Sequence, residues 1–120
     1  MTTLDQTVSV AELKRAIEGR DAEALTAMYA DDAELRIIDH DNPPSRPREL
    51  KGKREIASYY DDVCGRAMSH RIDPAFATAD AVSFGQTCTY PDGTKVYCTA
   101  ILELNQGKIV RQVSVQAWDS

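Results

Sequence analysis

Two turn signals divide the second half of the sequence into strand-length segments, and they limit the fold more than any other feature. The first is Pro91-Asp92-Gly93-Thr94, in which proline presets φ and glycine supplies a positive φ; the second is Asn105-Gln106-Gly107. Four segments before, between and after these turns are predicted to be strands: 69–78, 81–90, 95–104 and 108–118. Two hairpins in succession make the last three an antiparallel meander.

The first half of the sequence has helical periodicity instead. Ser9 and Glu12 have the spacing of a capping box, in which each residue satisfies a free backbone donor of the first turn. Val8 and Leu13 occupy the two positions of a hydrophobic staple around this cap. Gly19 is predicted to end the first helix, because glycine tolerates the left-handed conformation that often follows a last turn.

Two further helices and one strand are predicted before the hairpins. Asp21 caps a second helix that ends at Ala30-Asp31-Asp32, and residues 33–39 alternate as a first strand. Prolines exclude regular structure from residues 40–51, so this segment is predicted to be a long loop and the rim of a site. Gly52 opens the third helix. Helices followed by strands indicate one α+β domain over residues 1–120.

Charge and composition narrow the range of partners. The chain carries 19 acidic and 14 basic residues, and a net charge of −5 argues against a nucleic-acid partner. No apolar run approaches the roughly 20 residues that cross a bilayer, so no membrane partner is predicted. Residues 1–10 lack the pattern of a secretory leader, which makes a cytoplasmic location the expectation. Three cysteines, Cys64, Cys88 and Cys98, then predict free thiols.

No metal and no cofactor is predicted. The segment Asp39-His40-Asp41-Asn42 fails the calcium-loop pattern, because Pro43 and Pro44 occupy the next ligand position and the required glycine. The cysteines and histidines lack zinc spacing. Five basic residues lie close together near the third helix: Arg46, Arg48, Lys51, Lys53 and Arg54. They are interpreted as a solvated surface rather than an anion site.

Three short motifs resemble the SnoaL-like, NTF2-like family in their order and spacing. They are Tyr29-Ala30-Asp31-Asp32-Ala33, then Gly52-Lys53-Arg54-Glu55-Ile56 with Tyr59-Tyr60, and finally Gly107-Lys108-Ile109-Val110. The resemblance implies three N-terminal helices packed on a strongly curved antiparallel sheet, a cone that encloses a pocket. It also implies a homodimer through the outer sheet face.

That family includes ketosteroid isomerases, polyketide cyclases, dehydratases and non-catalytic binding modules, so function has to be argued from the site. The resemblance places the isomerase's carboxylate base, tyrosine and aspartic acid at Ile37, Leu13 and Ala100. None of these side chains exchanges a proton. An isomerase mechanism with its usual residues is therefore not expected.

Asp39 and His70 are the candidate catalytic residues. Asp39 shares a strand face with Ile37, which the resemblance turns into the cavity, where a desolvated carboxylate acts as a base. His70 begins the next predicted strand and could shuttle protons, and resemblance to cyclases pairs it with Asp39. The alternatives are that Asp39 is solvated or caps the proline-rich loop, and that His70 is structural or on the surface.

The last strand is unusually polar. The register implied by the resemblance turns five of its residues into the cavity: Val110, Gln112, Ser114, Gln116 and Trp118. The three hydrogen-bonding side chains and the indole ring among them are predicted ligand contacts. Arg111, Val113 and Val115 then face outward, where the two valines could be buried in a dimer. A slip of one residue would instead put both valines in the core.

Cys98 and Tyr59 complete the predicted ligand contacts. The same register turns Cys88 and Cys98 into the cavity, where they are interpreted as inert buried thiols. A reactive pair or a disulfide is the alternative, and a reactive thiolate needs a positive or basic neighbour. Tyr59 or Tyr60 brings a hydroxyl to the cavity, and helical spacing lets only one of them face fully inward.

Two functions follow from these features. In the first, the pocket holds a small, partly polar organic molecule and Asp39 and His70 perform cofactor-independent acid–base chemistry on it. In the second, side chains fill the cone and the outer sheet face binds a second copy or another protein. A pocket well under roughly 300 Å³ would favour the second.

Overall fold

The computed structural model describes residues 8–119, so most of the polar N-terminal segment lies outside the described residues. Three helices and six strands follow in chain order: α1 (Val10–Glu18), α2 (Ala22–Ala27), β1 (Tyr29–Ile38), β2 (Arg48–Lys51), α3 (Gly52–Gly65), β3 (Ser69–Ala77), β4 (Ala81–Thr89), β5 (Lys95–Asn105) and β6 (Lys108–Trp118). The α+β class is confirmed. No helix within residues 8–119 is long and apolar enough to cross a membrane.

The start of α1 follows the capping prediction and the helix ends at Gly19 as predicted, but Gly19 does not have the left-handed conformation that was expected. The Glu12 backbone N–H donates to Ser9 Oγ at 3.1 Å, and Val8 is buried in the main core. The residue in the left-handed conformation is Arg20, with φ 54°, whereas Gly19 has φ −85°. Glycine is needed at position 19 for space, since a Cβ there would lie 2.8 Å from the Arg15 carbonyl oxygen.

The second helix is shorter than predicted and the first strand is longer. Asp21 caps α2 as expected, accepting from the Ala24 N–H at 3.0 Å, but the chain is already extended at Tyr29. Tyr29 is opposite Ile109 of β6, and both side chains are fully buried. This long-range pairing overrides the local helical pattern, so the prediction of a helix up to residue 30 is wrong.

A short strand, β2, lies within the segment that was predicted to be irregular. It pairs antiparallel with β1, so that Arg48 is opposite Ile37 and Leu50 is opposite Leu35. All three prolines of the segment precede Arg48, and they therefore leave its last four residues free to pair. Leu50 is buried, which explains why this edge strand forms.

The six strands form one sheet in the order β2-β1-β6-β5-β4-β3. All neighbours are antiparallel except β1 and β6, which are parallel. The prediction of a wholly antiparallel sheet is therefore wrong, because turn signals set the direction of hairpin pairs and no hairpin joins β1 to β6. The sheet is also not strongly curled, contrary to the prediction of strong curvature. The helices lie on one face, where α1 contacts β3 and α3 contacts β1.

Candidate functional site

A cavity of about 200 Å³ lies between the helices and the sheet. Its apolar wall includes Leu35, Ile37, Phe84, Val96 and Ala100. Every residue that the sequence nominated for catalysis or ligand contact also lines it: Asp39, Tyr59, His70, Cys98, Gln112, Ser114, Gln116 and Trp118. The fold therefore brings the candidates to one place, and their contacts distinguish their chemistry.

Of the five residues of β6 that were predicted to face the cavity, all but one do so. Gln112, Ser114, Gln116 and Trp118 line the cavity. Val110 does not, because the pairing with β5 shifts between Glu103 and Leu104 and leaves Val110 without an opposite residue. The buried side chain at this end of the strand is that of Ile109, which corrects the inward placement of Val110.

A buried hydrogen-bonded chain crosses the back of the cavity. The Tyr29 hydroxyl lies 2.6 Å from that of Tyr60 and donates to Gln112 Oε1 through a short hydrogen bond. Gln112 Nε2 donates onward to Ser114 Oγ at 3.0 Å. Both ends of the Gln112 amide are thus engaged inside the protein. Gln112 therefore connects Tyr29 to Ser114 in the cavity wall, and a ligand would have to compete with both for its hydrogen bonds.

Burial keeps the tyrosines of the site protonated. Desolvation raises the pKa of Tyr29 well above its usual value and raises that of Tyr60 to about 12. Desolvation also raises the pKa of Tyr59, whose ring meets that of Tyr60 edge to face, with 5.2 Å between ring centroids. Tyr59 and Tyr60 both line the cavity. The helix therefore does not turn either ring away from it.

Asp39 follows directly after β1 and caps the loop. Its Oδ1 accepts three hydrogen bonds, from the backbone N–H groups of Asp41 and Asn42 at 3.0 and 2.9 Å and from Asn42 Nδ2 at 2.8 Å. This is the capping alternative. Asp39 reaches the cavity edge, but this arrangement gives it a structural task as well.

His70 is paired with a cysteine. Its Nδ1 lies 3.2 Å from Cys88 Sγ, and the two residues are directly opposite one another on β3 and β4. Among the described residues no hydrogen bond joins His70 to Asp39. Asp39 and His70 therefore line the same cavity but are not bonded to each other. Asp39 caps the loop, and His70 is paired with Cys88.

Three free cysteines line the cavity, and two of them, Cys88 and Cys98, differ in acidity. The neighbouring Cys98 thiol, together with His70, lowers the pKa of Cys88 against the opposing effect of burial. The same interaction with Cys88, together with burial, raises the pKa of Cys98. Cys88 is opposite Val96 and Cys98 is opposite Gln86, so the thiols are diagonal neighbours. His70 supplies at Cys88 the basic neighbour that the alternative of a reactive thiolate requires.

Strand pairing explains why the sequence did not reveal this pair. The segment between β3 and β4 is short, so the residues equidistant from it should be opposite one another. For the predicted strands 69–78 and 81–90, that rule places His70 opposite Thr89. The register of the structure shifts by one residue between Ile72 and Ala75, and this shift brings His70 opposite Cys88 instead.

Aromatic and cationic side chains surround the cavity. The rings of Trp118 and Tyr90 stack with 5.9 Å between centroids, and Trp118 Nε1 donates to Gln116 Oε1 at 3.2 Å. The Tyr90 hydroxyl accepts from Arg66 Nη1 at 3.0 Å. The Arg48 guanidinium lies 5.3 Å from the centroid of the Tyr59 ring. The Arg48 side chain therefore contributes positive charge to the cavity wall. The other four residues of the basic cluster do not line the cavity.

A second, wider depression of about 680 Å³ shares Asp39, Gln116 and Trp118 with the cavity. A molecule larger than the cavity could extend into it past these three residues. Within residues 8–119, no three histidine, cysteine, aspartate or glutamate side chains are grouped to hold a metal ion.

Comparisons with known proteins agree with this architecture. The model of the SnoaL-like domain family matches residues 10–112, and no curated protein matches the chain in sequence. A provisionally assigned ketosteroid isomerase from Kribbella flavida is 16% identical, with a TM-score of 0.75 over 97% of this chain and 79% of its own. An NTF2-like protein of unknown function from Mesorhizobium loti is 14% identical, with a TM-score of 0.76 over 96% and 90%.

Helices on one face of a six-stranded mixed sheet, with a cavity between them, define an α+β protein of the NTF2-like fold. The chain belongs to the SnoaL-like domain family. The structural neighbours are all too distant in sequence to show more than this fold.

Proposed function

We propose that this protein binds a small, partly polar organic molecule in the cavity between α3 and the sheet. The observation that carries the proposal is the mixed character of the cavity wall: apolar side chains such as Ile37 and Phe84 line it together with hydrogen-bonding side chains such as Ser114 and Gln116. Ligand pockets commonly combine an apolar surface with a few polar groups that fix orientation. Trp118 and Tyr90 add aromatic surface for a ring or a conjugated group.

The size of the cavity restricts the ligand. About 200 Å³ is below the ~300–1,000 Å³ of pockets for drug-sized molecules, so a compact ligand is expected. A longer ligand would have to continue into the depression beyond Gln116 and Trp118. By the size criterion given above, this small volume favours the non-catalytic module, which stands as the second candidate.

Trp118 offers a direct test, because it is the single tryptophan of the chain and lines the cavity. Small cyclic ketones, lactones and phenols would be titrated while its fluorescence and the Tm are followed. Ser114→Leu fills the cavity, whereas Val115→Leu places the same side chain on the opposite, exposed face of the same strand. Binding that is lost in the first variant and kept in the second supports the proposal; equal binding by both would refute a site in the cavity.

Acid–base catalysis is the finer form of this proposal, with His70 as the group that carries the proton. Names of structural neighbours, such as the ketosteroid isomerase of Kribbella flavida, favour proton-transfer chemistry but belong to those proteins. Ile37 and Ala100, at positions where the resemblance expects ionisable groups, are apolar cavity residues. Asp39→Asn keeps the hydrogen-bond acceptor of the loop and removes the base. Retained turnover in that variant would remove Asp39 from the mechanism.

The outer face of the sheet supports a second candidate function, a homodimer. Phe76, Ile101 and Val115 are 67%, 54% and 45% exposed there, and Ile101 is opposite Val113 across β5 and β6. The ion pair of Arg111 with Glu103 lies beside these apolar side chains. An apolar centre with a charged rim is the usual arrangement of a protein interface.

A further inference from the structure

We propose that Cys88 is a nucleophilic thiol, activated by His70, that adds covalently to a soft electrophile in the cavity, of the class of α,β-unsaturated carbonyl compounds. This inference rests on the proposed function, because it names the chemical class that the cavity would accept. It assigns the reacting atom to Cys88 Sγ, a role that neither Asp39 nor the polar residues of β6 could take.

The first support is geometric. Cys88 Sγ and His70 Nδ1 are 3.2 Å apart, which is within proton-transfer reach for a sulfur donor. Both residues line the cavity from adjacent strands, and Cys88 is almost completely buried from outside solvent. A thiol beside a histidine in an enclosed, partly apolar site has the arrangement of an activated nucleophile.

The second support is the difference between the three cysteines. The neighbouring Cys98 and then His70 lower the pKa of Cys88, whereas Cys88 and burial raise the pKa of Cys98. Burial raises the pKa of the third cysteine, Cys64, which lies on α3 and has no histidine partner among the described residues. The thiolate is the reactive form, so the structure makes Cys88 the preferred nucleophile.

Other ionisable groups around the pair come from four elements. Tyr59 on α3 interacts electrostatically with Cys98. Arg66, directly after α3, is hydrogen-bonded to Tyr90, which follows β4. Arg48 of β2 and Asp39 after β1 line the same cavity. Burial raises the pKa of Tyr59 and keeps it neutral, and the two arginine cations outnumber the Asp39 carboxylate, so the surrounding charge favours an anionic sulfur.

The step balances without an oxidant or a cofactor. The Cys88 proton moves to His70 Nδ1, and the sulfur forms a bond to the β-carbon of the alkene. The electron pair of the carbon–carbon π bond moves toward the carbonyl oxygen and gives an enolate. His70 then returns the proton to the α-carbon, so the net change is addition of S–H across the double bond.

The probe for the test is methyl vinyl ketone, which is small enough for the cavity, applied to the full-length protein. Alkylation at each cysteine is measured by mass spectrometry of the intact protein and its peptides between pH 5.5 and 8.5. We expect one adduct at Cys88 at pH 6. Cys64 in the same molecules is the internal reference, and it should react at least about tenfold more slowly. Preferential reaction at Cys64 would overturn the proposal without any variant.

Variants then separate activation from simple exposure. His70→Asn should lower the rate at Cys88 by about tenfold or more at pH 6 and move the rise in rate to higher pH. His40→Asn, which changes the other histidine of the chain, should leave the profile unchanged. An identical pH profile for the wild-type protein and His70→Asn would refute activation by His70.

The two proposals fail in different ways. An unreactive Cys88 in a protein whose Trp118 fluorescence still reports binding would refute the covalent step alone. Rapid alkylation of Cys88 in a protein that binds none of the neutral ligands would refute reversible binding alone. Circular dichroism of each variant shows whether a lost adduct reflects lost structure, and the wild-type comparison of Cys88 with Cys64 remains decisive in that case.

Discussion

The hydroxyl of Tyr29 on β1 lies 2.6 Å from the hydroxyl of Tyr60 on α3, across 31 residues of sequence. With Gln112 of β6, the pair joins the third helix to the two parallel strands of the sheet. The cavity wall and the fold are therefore stabilised by the same hydrogen bonds.

Tyr29→Phe is expected to destabilise the fold by about 1–3 kcal/mol, because the Gln112 carbonyl oxygen and the Tyr60 hydroxyl lose a buried partner. Urea unfolding followed by circular dichroism measures the loss. Tyr97→Phe is the matched control, since Tyr97 is 45% exposed on the outer face and should change stability by less than about 0.5 kcal/mol. Equal losses in both variants would contradict the role of the buried chain.

Stability is expected to fall as the pH rises from about 10 to about 12. In the unfolded chain tyrosines ionise near pH 10, whereas burial raises the pKa of Tyr60 to about 12 in the folded state. The folded state therefore binds more protons in this window, and the stability present below pH 10 is lost above it. Each such tyrosine contributes at most about 1.4 kcal/mol per pH unit.

Unfolding in urea at pH 9 and pH 11 tests this dependence. Tyr60→Phe removes one of the titrating groups and should make the loss between the two pH values smaller. A wild-type protein that is equally stable at both pH values would contradict the prediction.

Asp39→Ala is expected to lower the free energy of unfolding by about 1 kcal/mol, because the loop loses an acceptor shared by Asp41 and Asn42. Asp39→Asn keeps an oxygen in that position and should cost less than half as much. Chemical denaturation of the three proteins gives both values. If the alanine variant were as stable as the asparagine variant, the capping role would be wrong.

Ile101→Lys is expected to convert a homodimer into monomers, because it places a charge in the centre of the exposed apolar face. Light scattering after size exclusion gives the molar mass across a concentration series. Ser58→Lys adds the same charge on an exposed position of α3 and serves as the control. A wild-type protein that is monomeric at high concentration would refute the dimer directly.

Local signals in the sequence predicted the parts of the fold that local physics determines. Pro91-Asp92-Gly93-Thr94 and Asn105-Gln106-Gly107 fixed the ends of β5 and β6 to within one residue, and Ser9 fixed the start of α1. The parallel pairing of β1 with β6 and the strand at Arg48–Lys51 depend on contacts between distant segments. Such contacts leave no periodic pattern in a single sequence.

The site was predicted in its membership but not in its pairing. Alternation along β6 and the resemblance together placed Gln116 and Trp118 on the cavity wall, where the structure has them. The partner of His70 depends on the offset of two strands, and the partner of Asp39 depends on the path of its loop. Both need three-dimensional geometry, because a register shift between Ile72 and Ala75 changes the offset that a simple hairpin would give.

The position of β6 between β1 and β5 has a consequence for how the protein forms during synthesis. The residues that join the two parts of the sheet, 108–118, are the last to leave the ribosome among all the elements of the fold. Until they emerge, β1 and β5 each present an unpaired edge, which is a hazard for aggregation. The cavity wall cannot be complete before β6 has emerged, so a binding site exists only in chains whose β6 has paired with β1 and β5.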